Sequence, residues 1–373
     1  MNETPIDTAA GPPPPLAAVV LAAGEGRRMQ SSRPKPLHRL CGRPMLMYVI
    51  DSLAGTDTSR VAIVVGHKGD RVAKTMLEHV GDVAVDFVEQ RVQRGTGDAA
   101  LVGLVGLPDD DDDGDVLVLP GDAPLLRPET IASLVDHHRR TGAAATLLTA
   151  VMDDPTGYGR VIRSGDGSVE RVVEHADADA EERAVDEINT SIYCFRRNLL
   201  APALRRVQPD NAQGEYYLTD VVSVLSGTGH RVEAVVAPDA AETQGVNDRV
   251  QLAAAEAELR RRTNEALLRS GVTMLDPASV FVDTTARVGQ DVTLFPGVIL
   301  QGATVVGDGT ELGPNTRLVD CIVGDDCVIE QSTGRSARIG DRCTVGPFAS
   351  LGPGAELASD VTTGPFYTAD TAT

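Results

Sequence analysis

A glycine-containing loop with basic residues close behind it is the first feature of this chain that could do chemistry. Residues 21–29 (LAAGEGRRM) directly follow the apolar run 16–20 and precede Pro34, Lys35 and Pro36. Glycines let backbone N–H groups approach an anion, and Arg or Lys neutralises its charge. The spacing predicts a phosphate-binding loop in which Arg28 and Lys35 supply the charge. A plain strand-to-loop turn with solvated basic residues is the alternative interpretation.

Two commoner phosphate motifs are excluded. The Rossmann dinucleotide fingerprint needs a third glycine where Met29 stands, and an acidic residue at the end of the second strand, where run 61–65 continues into Gly66 and His67. The P-loop needs Gly-Lys followed by Ser or Thr, and the chain contains no such tripeptide. What remains beside the plain turn is a phosphate loop of another class, with Arg28 and Lys35 as its charges.

The length and net charge of the chain limit its number of domains and the classes of partner that it can bind. A chain of 373 residues suggests about two domains, and a net charge of −20 opposes nonspecific binding to nucleic acid or to an anionic membrane. The five cysteines lack Cys-x-x-Cys spacing, which favours reduced thiols. Residues 1–15 are proline-rich, lack the pattern of a signal peptide and are expected to be disordered. A cytoplasmic protein without nucleic-acid or membrane partners is expected.

The elements that must position the loop alternate along residues 16 to about 238. Short β-branched runs are separated by helix-like stretches, which predicts an α/β domain with a mostly parallel sheet covered by helices. Ligands of such a sheet bind at the carboxyl ends of the strands, where residues 24–28 and the pair Gly121 and Asp122 both fall. The runs are 61–65, 83–88 and 116–119, and the helix-like stretches are 44–53, 69–79 and 128–140.

The pattern changes near the end of this region. Residues 248–270 are rich in Ala, Glu, Arg and Leu without Gly or Pro and predict one long helix. After Gly271 aliphatic residues recur every six positions, often followed by glycine, which is the signature of a parallel β-helix. Such a stack needs covered ends or oligomerisation, and Phe366 and Tyr367 are expected to fold over the last coil. The recurring residues are Val282, Val288, Leu294, Leu300, Val306, Leu312 and Leu318, then Val323 and Ile329, then Ile339, Val345, Leu351 and Leu357.

Several separated strings together resemble one family. Over about residues 16–366 the chain resembles the bacterial bifunctional enzymes that are both N-acetylglucosamine-1-phosphate uridyltransferases and glucosamine-1-phosphate acetyltransferases. The string NAQGEYYLTD from Asn211 is the most specific, because it separates this family from other sugar-nucleotide pyrophosphorylases. The other strings are LAAGEGRRM, RPKPLHRLCGRPM, GTG from Gly95, LPGD from Leu119, DPTGYGRVIR from Asp154, VVEHADA from Val172, EINTSIY from Glu187 and GVNDRVQL from Gly245.

The resemblance implies an organisation and an activity. It implies a Rossmann-like nucleotidyltransferase domain at 16–247, a connecting helix at 248–271 and a truncated left-handed parallel β-helix at 272–373, which assembles a homotrimer. The implied reaction joins UTP and N-acetylglucosamine 1-phosphate into UDP-N-acetylglucosamine, a peptidoglycan precursor, and releases pyrophosphate with the help of Mg²⁺. The phosphate of the sugar attacks the α-phosphorus of UTP in line, so no general base is required.

The resemblance also assigns roles to residues. Arg28 and Lys35 would neutralise phosphate charge, and Asp122 with Asn247 would bind Mg²⁺. Ala22, Ala23 and Gly24, with Gly121, would lie along the nucleotide. Gln90, Gly95 and Thr96 would read the uracil. Gly159, Glu174 and Asn189 would hold the N-acetylglucosamine. Taken singly, each glycine or Asn189 is also compatible with a turn or a strand end, and Asp122 with a turn.

Departures from the family leave alternatives open. Asp98 stands where the family usually has His, and Arg27 replaces the usual Thr. The chain ends at Thr373, where further acetyltransferase coils with a catalytic His are expected, and Gly352 aligns with an Arg of that site. We therefore expect a uridyltransferase without acetyltransferase activity. The alternatives are a pyrophosphorylase for another sugar or nucleotide and a catalytically silent protein that uses its hexapeptide repeats for assembly or regulation. The last alternative is a hexapeptide acyltransferase, which is weakened by too few coils and by the lack of a candidate His after His230.

Overall fold

The computed structural model describes residues 14–66, 68–81, 83–108 and 113–370. They divide into an N-terminal unit, residues 14–38 with 45–249, and a C-terminal unit, residues 39–44 with 250–370. Most of the tail predicted to be disordered, residues 1–13, lies outside the described residues. Within the described part of the chain, no helix is both long enough and apolar enough to cross a membrane.

The elements up to residue 269 are mainly those of an α/β unit. The strands are β1 (Leu16–Ala22), β2 (Arg39–Leu40), β3 (Arg43–Pro44), β4 (Thr58–Val65), β5 (Val85–Glu89), β6 (Asp115–Pro120), β7 (Ala145–Val151), β8 (Gly159–Arg163), β9 (Val169–Val173), β10 (Glu187–Arg196) and β11 (Val232–Val236). The helices are α1 (Met45–Asp51), α2 (Gly69–Leu77), α3 (Thr96–Val105), α4 (Pro128–Thr141), α5 (Ala180–Arg183), α6 (Arg197–Leu204), α7 (Asp220–Gly227) and α8 (Arg249–Arg269).

The N-terminal unit is built on one sheet with helices on both faces. Its strand order is β11-β7-β10-β6-β1-β4-β5. Strands β6, β1, β4 and β5 are mutually parallel, as are β7 and β11. Val19 and Val64 pack into one apolar cluster, while the alternate positions Val20 and Ile63 pack into the other. The strands are apolar in continuous runs because both faces of the sheet are covered. The predicted Rossmann-like architecture is confirmed.

The parallel register brings loop ends together at one edge. Ala22 at the end of β1 pairs with Val65 of β4, and Leu21 pairs with Pro120 of β6. The Gly121 N–H donates to the Leu21 carbonyl at 2.8 Å, which extends the pairing by one step. The loops that follow β1, β4 and β6 therefore leave the sheet side by side.

Antiparallel strands add a second wall. Strand β10 runs antiparallel to β6 and β7, and the hairpin β8–β9 joins its first residues. The register of β10 against β7 shifts between Asn189 and Ile192, where Ser191 has a φ of +62°. Such a bulge turns a side chain away from the regular alternation of a strand. It gives the Asn189 region a local geometry that a regular strand would not have.

The C-terminal unit contains three parallel sheets that form the sides of a β-helix. Their orders are β12-β15-β18-β21-β24, β13-β16-β19-β22-β25-β27 and β14-β17-β20-β23-β26. The predicted left-handed parallel β-helix is confirmed. The strands are β12 (Thr273–Met274), β13 (Phe281–Val282), β14 (Arg287–Val288), β15 (Thr293–Leu294), β16 (Ile299–Gln301), β17 (Val305–Val306), β18 (Glu311–Gly313), β19 (Arg317–Val319), β20 (Ile322–Val323), β21 (Val328–Glu330), β22 (Thr333–Arg335), β23 (Arg338–Ile339), β24 (Thr344–Val345), β25 (Ser350–Leu351), β26 (Glu356–Leu357) and β27 (Thr368–Ala369).

The aliphatic residue missing from the pattern between Ile329 and Ile339 has a packing cause. Gly334 pairs with Leu318 on one side and Leu351 on the other, so it occupies an inward position where neighbouring coils have leucine. A Cβ at Gly334 would lie 2.9 Å from Leu318 Cδ2 and 3.0 Å from Cys321 Sγ. Both neighbours already fill the space that a side chain would need, and this coil lacks its aliphatic marker in the sequence for that reason.

The expected cover of the last coil is wrong for Phe366. Phe366 is 72% exposed, and its ring stacks on Phe348 with ring centroids 5.2 Å apart. The residues that follow it form β27, which pairs with β25 and adds one more rung to that sheet. Backbone hydrogen bonding therefore continues the coil beyond Leu351, while the aromatic ring lies on the outside.

We predict that replacing Gly103 with Ala destabilises the N-terminal unit, although glycine inside a helix is normally worse than alanine by roughly 0.5–1 kcal/mol. The new Cβ would lie 2.3 Å from Val19 Cγ1 and 2.9 Å from Val64 Cγ2. Overpacking of this kind costs about 1–3 kcal/mol. Gly227→Ala in α7 is the control, because nothing lies within 4 Å of its Cβ position. Urea unfolding followed by circular dichroism should show a lower midpoint for Gly103→Ala only; equal midpoints would contradict the packing.

Candidate active site

A cavity of about 440 Å³ opens at the carboxyl ends of the central strands of the N-terminal unit. Loops after β1 and β6 supply one side of it, and the first half of β10 supplies another. The residues that line it are Leu21, Ala22, Ala23, Gly24, Lys35, Pro36, Gln90, Gln93, Gly95, Thr96, Ala99, Pro120, Gly121, Asp122, Tyr158, Asn189, Thr190, Ser191, Glu215, Thr243, Gly245 and Asn247.

Most of the residues predicted for the site meet in this cavity. Arg28, Gly159 and Glu174 are not among its lining residues. Those that the structure brings together are Ala22, Ala23, Gly24, Lys35, Gln90, Gly95, Thr96, Gly121, Asp122, Asn189 and Asn247.

The loop after β1 is shaped by contact with Lys35. Gly26 has a φ of +63°, and a Cβ on it would lie 2.8 Å from Lys35 Cβ. Met29, buried at 1% exposure, anchors the short 3-10 turn Arg27–Met29. Arg28 lies on the exposed side of that turn, and Arg27 forms an ion pair with Glu25. The loop thus leaves Lys35, rather than Arg28, as the cation in the cavity wall.

Lys35 joins the two residues predicted as metal ligands. Its Nζ donates to Asp122 Oδ2 in an ion pair and to Asn247 Oδ1 at 2.9 Å. The Asp122 carbonyl accepts from the Val246 N–H at 2.8 Å, and a Cβ on Gly245 would lie 3.3 Å from Asp122 Oδ1. The segment before Asn247 therefore packs directly on Asp122. Two oxygen donors and one ammonium group meet at the cavity wall.

Asp122 and Asn247 alone are too few ligands for a complete metal site. Among the described residues, no group of three or more His, Cys, Asp and Glu side chains could hold a metal ion. A divalent cation at Asp122 and Asn247 would need its other ligands from a substrate or from water, which is the arrangement Mg²⁺ favours.

The three residues predicted to read a base also line the cavity. Gln90 follows β5 and is 5% exposed. Gly95 has a φ of +114° and precedes α3, whose first residue is Thr96. The Leu218 N–H donates to Thr96 Oγ1 at 3.0 Å. The string NAQGEYYLTD thereby contacts the GTG loop.

That contact explains the small residues of the GTG loop. A Cβ on Gly95 would lie 2.5 Å from the Tyr216 carbonyl oxygen, and one on Gly97 would lie 3.0 Å from the same atom. The Gly97 N–H donates to that carbonyl at 2.7 Å, while the Tyr216 N–H donates to the Arg94 carbonyl at 2.8 Å. Close backbone approach by the segment around Tyr216 fixes the loop.

The three residues predicted to hold a sugar are neighbours. Gly159 pairs with Asn189 across β8 and β10, and a Cβ on Gly159 would lie 3.4 Å from Glu174 Oε2. The Thr219 hydroxyl donates to Glu174 Oε1 at 3.1 Å, and Asn189 Nδ2 donates to the Tyr193 hydroxyl at 2.7 Å. Burial raises the pKa of the Glu174 carboxyl, as do nearby Asp220 and Asp177, despite the hydrogen bond from Thr219.

Some lining residues were missed by sequence reasoning. Gln93 Nε2 donates to the Ala23 carbonyl at 2.5 Å and so ties the segment after β5 to the loop after β1. Tyr158 lines the cavity, and burial together with the charge of Asp122 raises the pKa of its hydroxyl. Tyr158 and Glu215 lie within the strings DPTGYGRVIR and NAQGEYYLTD, so those strings could have indicated them. For Gln93 the sequence gives no signal.

The fold and the site define a nucleotidyltransferase. Residues 18–218 match the MobA-like NTP transferase domain. A solved structure of a UDP-glucose pyrophosphorylase complexed with UDP-glucose is similar at a TM-score of 0.55 and 13% identity, over 66% of this chain and 99% of that one. At that identity the likeness shows the fold alone.

Curated relatives then identify the family. The protein GlmU of a Geobacillus species, described as bifunctional, is 42% identical over 348 residues, 93% of this chain and 74% of that protein. Those of Mycolicibacterium vanbaalenii and Pelotomaculum thermopropionicum are 46% and 47% identical, over 95% and 93% of this chain and 72% and 75% of theirs. The chain belongs to the GlmU family, and it spans about three quarters of the length of these relatives.

We predict that Gly95→Ala weakens UTP binding by about 10-fold, which corresponds to about 1.4 kcal/mol. Alanine is strained at a φ of +114°, and its Cβ would push the loop off the Tyr216 carbonyl. Gly229→Ala is the control, because Gly229 has a φ of +81° with nothing within 4 Å of its Cβ position. Isothermal titration calorimetry measures both. Equal UTP affinity in the two variants would show that the contact with Tyr216 does not shape the site.

Proposed function

We propose that this protein forms UDP-N-acetylglucosamine and pyrophosphate from UTP and N-acetylglucosamine 1-phosphate in a Mg²⁺-dependent reaction. The observation that carries the proposal is the position of Lys35, held by Asp122 and Asn247 in the wall of the cavity. Gln90, which is predicted to read the base, and Asn189, which is predicted to hold the sugar, line the same cavity.

In the proposed complex the product lies in the cavity in one direction. The uracil is placed against Gln90, Gly95 and Thr96, and the ribose and phosphates lie along Ala22, Ala23, Gly24 and Gly121. The N-acetylglucosamine lies toward Asn189, with Gly159 and Glu174 behind it. Lys35 lies where the phosphates of the two substrates meet, so one ammonium group serves both.

The reaction needs positioning and charge neutralisation. An oxygen of the sugar phosphate forms a bond to the α-phosphorus of UTP, and the bond from that phosphorus to the bridging oxygen breaks, with its electron pair leaving on pyrophosphate. A phosphate is already a nucleophile, so no residue has to remove a proton. Lys35 offsets negative charge that develops during the transfer, and its pairing with Asp122 and Asn247 keeps the ammonium in place beforehand.

Asp122 and Asn247 fit Mg²⁺. Their oxygens converge on one positive charge, the Lys35 ammonium, and a carboxylate with an amide carbonyl is a hard oxygen donor set. When bound, Mg²⁺ would supply positive charge to the phosphate oxygens and orient them. Asp122 and Asn247 would hold it, and Lys35 would then be free to contact phosphate.

Arg28 keeps its predicted role as a second phosphate cation, although it lies on the exposed side of its turn. The homotrimer and the absence of acetyl transfer also stay predictions. Gly352 supports the predicted absence of acetyl transfer, because it provides no side chain at a position where the family has an arginine. Its N–H donates to the Ala369 carbonyl at 2.6 Å.

We predict that Asp122→Asn lowers kcat/KM by on the order of 100-fold, because it removes the charge that positions both Lys35 and the metal. Asp136→Asn on the exposed side of α4 should not change it. Pyrophosphate release from UTP, measured with the full chain over a panel of sugar 1-phosphates, is the assay. Faster turnover with another sugar would identify a different pyrophosphorylase, and UTP binding without product from any sugar would favour the catalytically silent protein.

We predict a Glu174-dependent acid limb in the pH profile of kcat/KM for N-acetylglucosamine 1-phosphate. The ionised carboxylate accepts hydrogen bonds from sugar hydroxyl groups, and this ability is lost as the pH falls through the pKa of Glu174. Because burial raises that pKa, the loss begins above the ordinary glutamate value of about 4.3. Glu174→Gln should remove this limb while the titration of the substrate phosphate remains. The control is exposed Glu170→Gln, and a Glu174→Gln profile that superimposes on the wild type would contradict the assignment.

A further inference from the structure

The amide group of Gln90 is held by two acceptors. Its Nε2 donates to Asp98 Oδ2 at 2.8 Å and to the Gly95 carbonyl at 3.2 Å. An amide nitrogen carries only two hydrogens, so both are engaged. Gln90 itself is 5% exposed and lines the cavity.

These partners fix which end of the amide faces the cavity. The oxygen and nitrogen of a glutamine are usually assigned from their hydrogen bonds, and here both partners can only accept. A flipped amide would set its oxygen against the Asp98 carboxylate and the Gly95 carbonyl. Among the described residues nothing donates to Gln90 Oε1, and this atom is not sealed from solvent. The side chain therefore presents an acceptor.

Asp98 is well placed to impose this orientation. It lies in the first turn of α3, where the helix dipole favours a carboxylate. The start of that helix is clamped by the hydrogen bond from Leu218 to Thr96 and by the contact of Gly97 with Tyr216. The family usually has histidine at this position, and a histidine ring can donate a hydrogen bond. An ionised carboxylate cannot donate to Gln90.

We infer that Asp98 is a positioning residue for base specificity, which fixes Gln90 as an acceptor and thereby selects a base that donates from N3. Uracil carries an N3–H group, whereas the unprotonated N3 of cytosine is an acceptor. Cytosine would place two acceptors against each other and leave both without a hydrogen bond. The inference rests on the proposed function, because that proposal places the base against Gln90. It extends it by naming the residue that separates UTP from CTP.

The first test uses the unmodified chain. Isothermal titration calorimetry with UTP, CTP and N3-methyl-UTP in the presence of Mg²⁺ measures the contribution of the N3 donor directly. CTP and N3-methyl-UTP should both bind at least about 10-fold more weakly than UTP, as expected when one partner of a buried hydrogen bond is lost. Equal binding of UTP and N3-methyl-UTP would overturn the inference.

The second test uses variants of Asp98. Asp98→Ala leaves only the Gly95 carbonyl to hold the Gln90 amide, and the amide introduced by Asp98→Asn can donate as well as accept. In both variants the orientation of Gln90 is less firmly fixed, so the ratio of UTP to CTP affinity should fall by about 10-fold. In the kinetic assay the change should appear in KM for the nucleotide and not in kcat. Asp98→Glu should restore part of the ratio, because it keeps a carboxylate.

The control is Asp70→Asn. Asp70 lies in the first turn of α2, is exposed and does not line the cavity. The variant therefore removes the same charge from the start of a helix without touching the cavity. An unchanged ratio in both Asp98→Asn and Asp98→Ala would overturn the inference and leave the proposed function standing. If the chain prefers UTP over CTP as expected but forms no UDP-sugar product, the proposed function is overturned and the inference about Asp98 stands.

Discussion

One ammonium group, that of Lys35, joins three segments that are far apart in the sequence. Lys35 follows β1 by a loop, Asp122 follows β6, and Asn247 precedes α8. The Lys35 side chain is only 12% exposed, and a charge withdrawn from water to that extent has to be paired. The pairing holds the three loops together around the cavity. In the proposed reaction the same positive charge neutralises phosphate.

A second constraint is the close approach of backbone to backbone around the cavity. At Gly95, Gly97 and Gly121 a Cβ would lie within about 3 Å of a neighbouring segment. Because of these contacts, the loops that form the walls of the cavity pack against each other without gaps. They also connect the GTG loop to the segment around Tyr216, so that a sequence string with few charged residues determines the shape of this side of the cavity.

The sequence predicted what depends on local order and on parallel pairing. The loops after β1 and β6 could be placed together because parallel strands end at one edge of the sheet, and the resemblance added Gln90, Asn189 and Asn247. Contacts between loops could not be predicted, because no periodicity encodes them. Gln93 on Ala23 and Asp98 on Gln90 are of this kind, and Asp98 was visible only as a departure from the family. In the β-helix, the six-residue period predicted the coils, but it could not show that Leu318 and Cys321 fill the space at Gly334.

The central claim is that Lys35 provides the phosphate contact in the cavity. The direct measurement is the dissociation constant of UTP, determined by isothermal titration calorimetry on the wild-type chain, Lys35→Met and Lys74→Met. Lys74 lies on the exposed side of α2 and serves as the matched control. The account predicts an affinity at least about 10-fold lower in Lys35→Met only, as expected for loss of a charged hydrogen bond. A Lys35→Met chain that binds UTP as tightly as the wild type would contradict it.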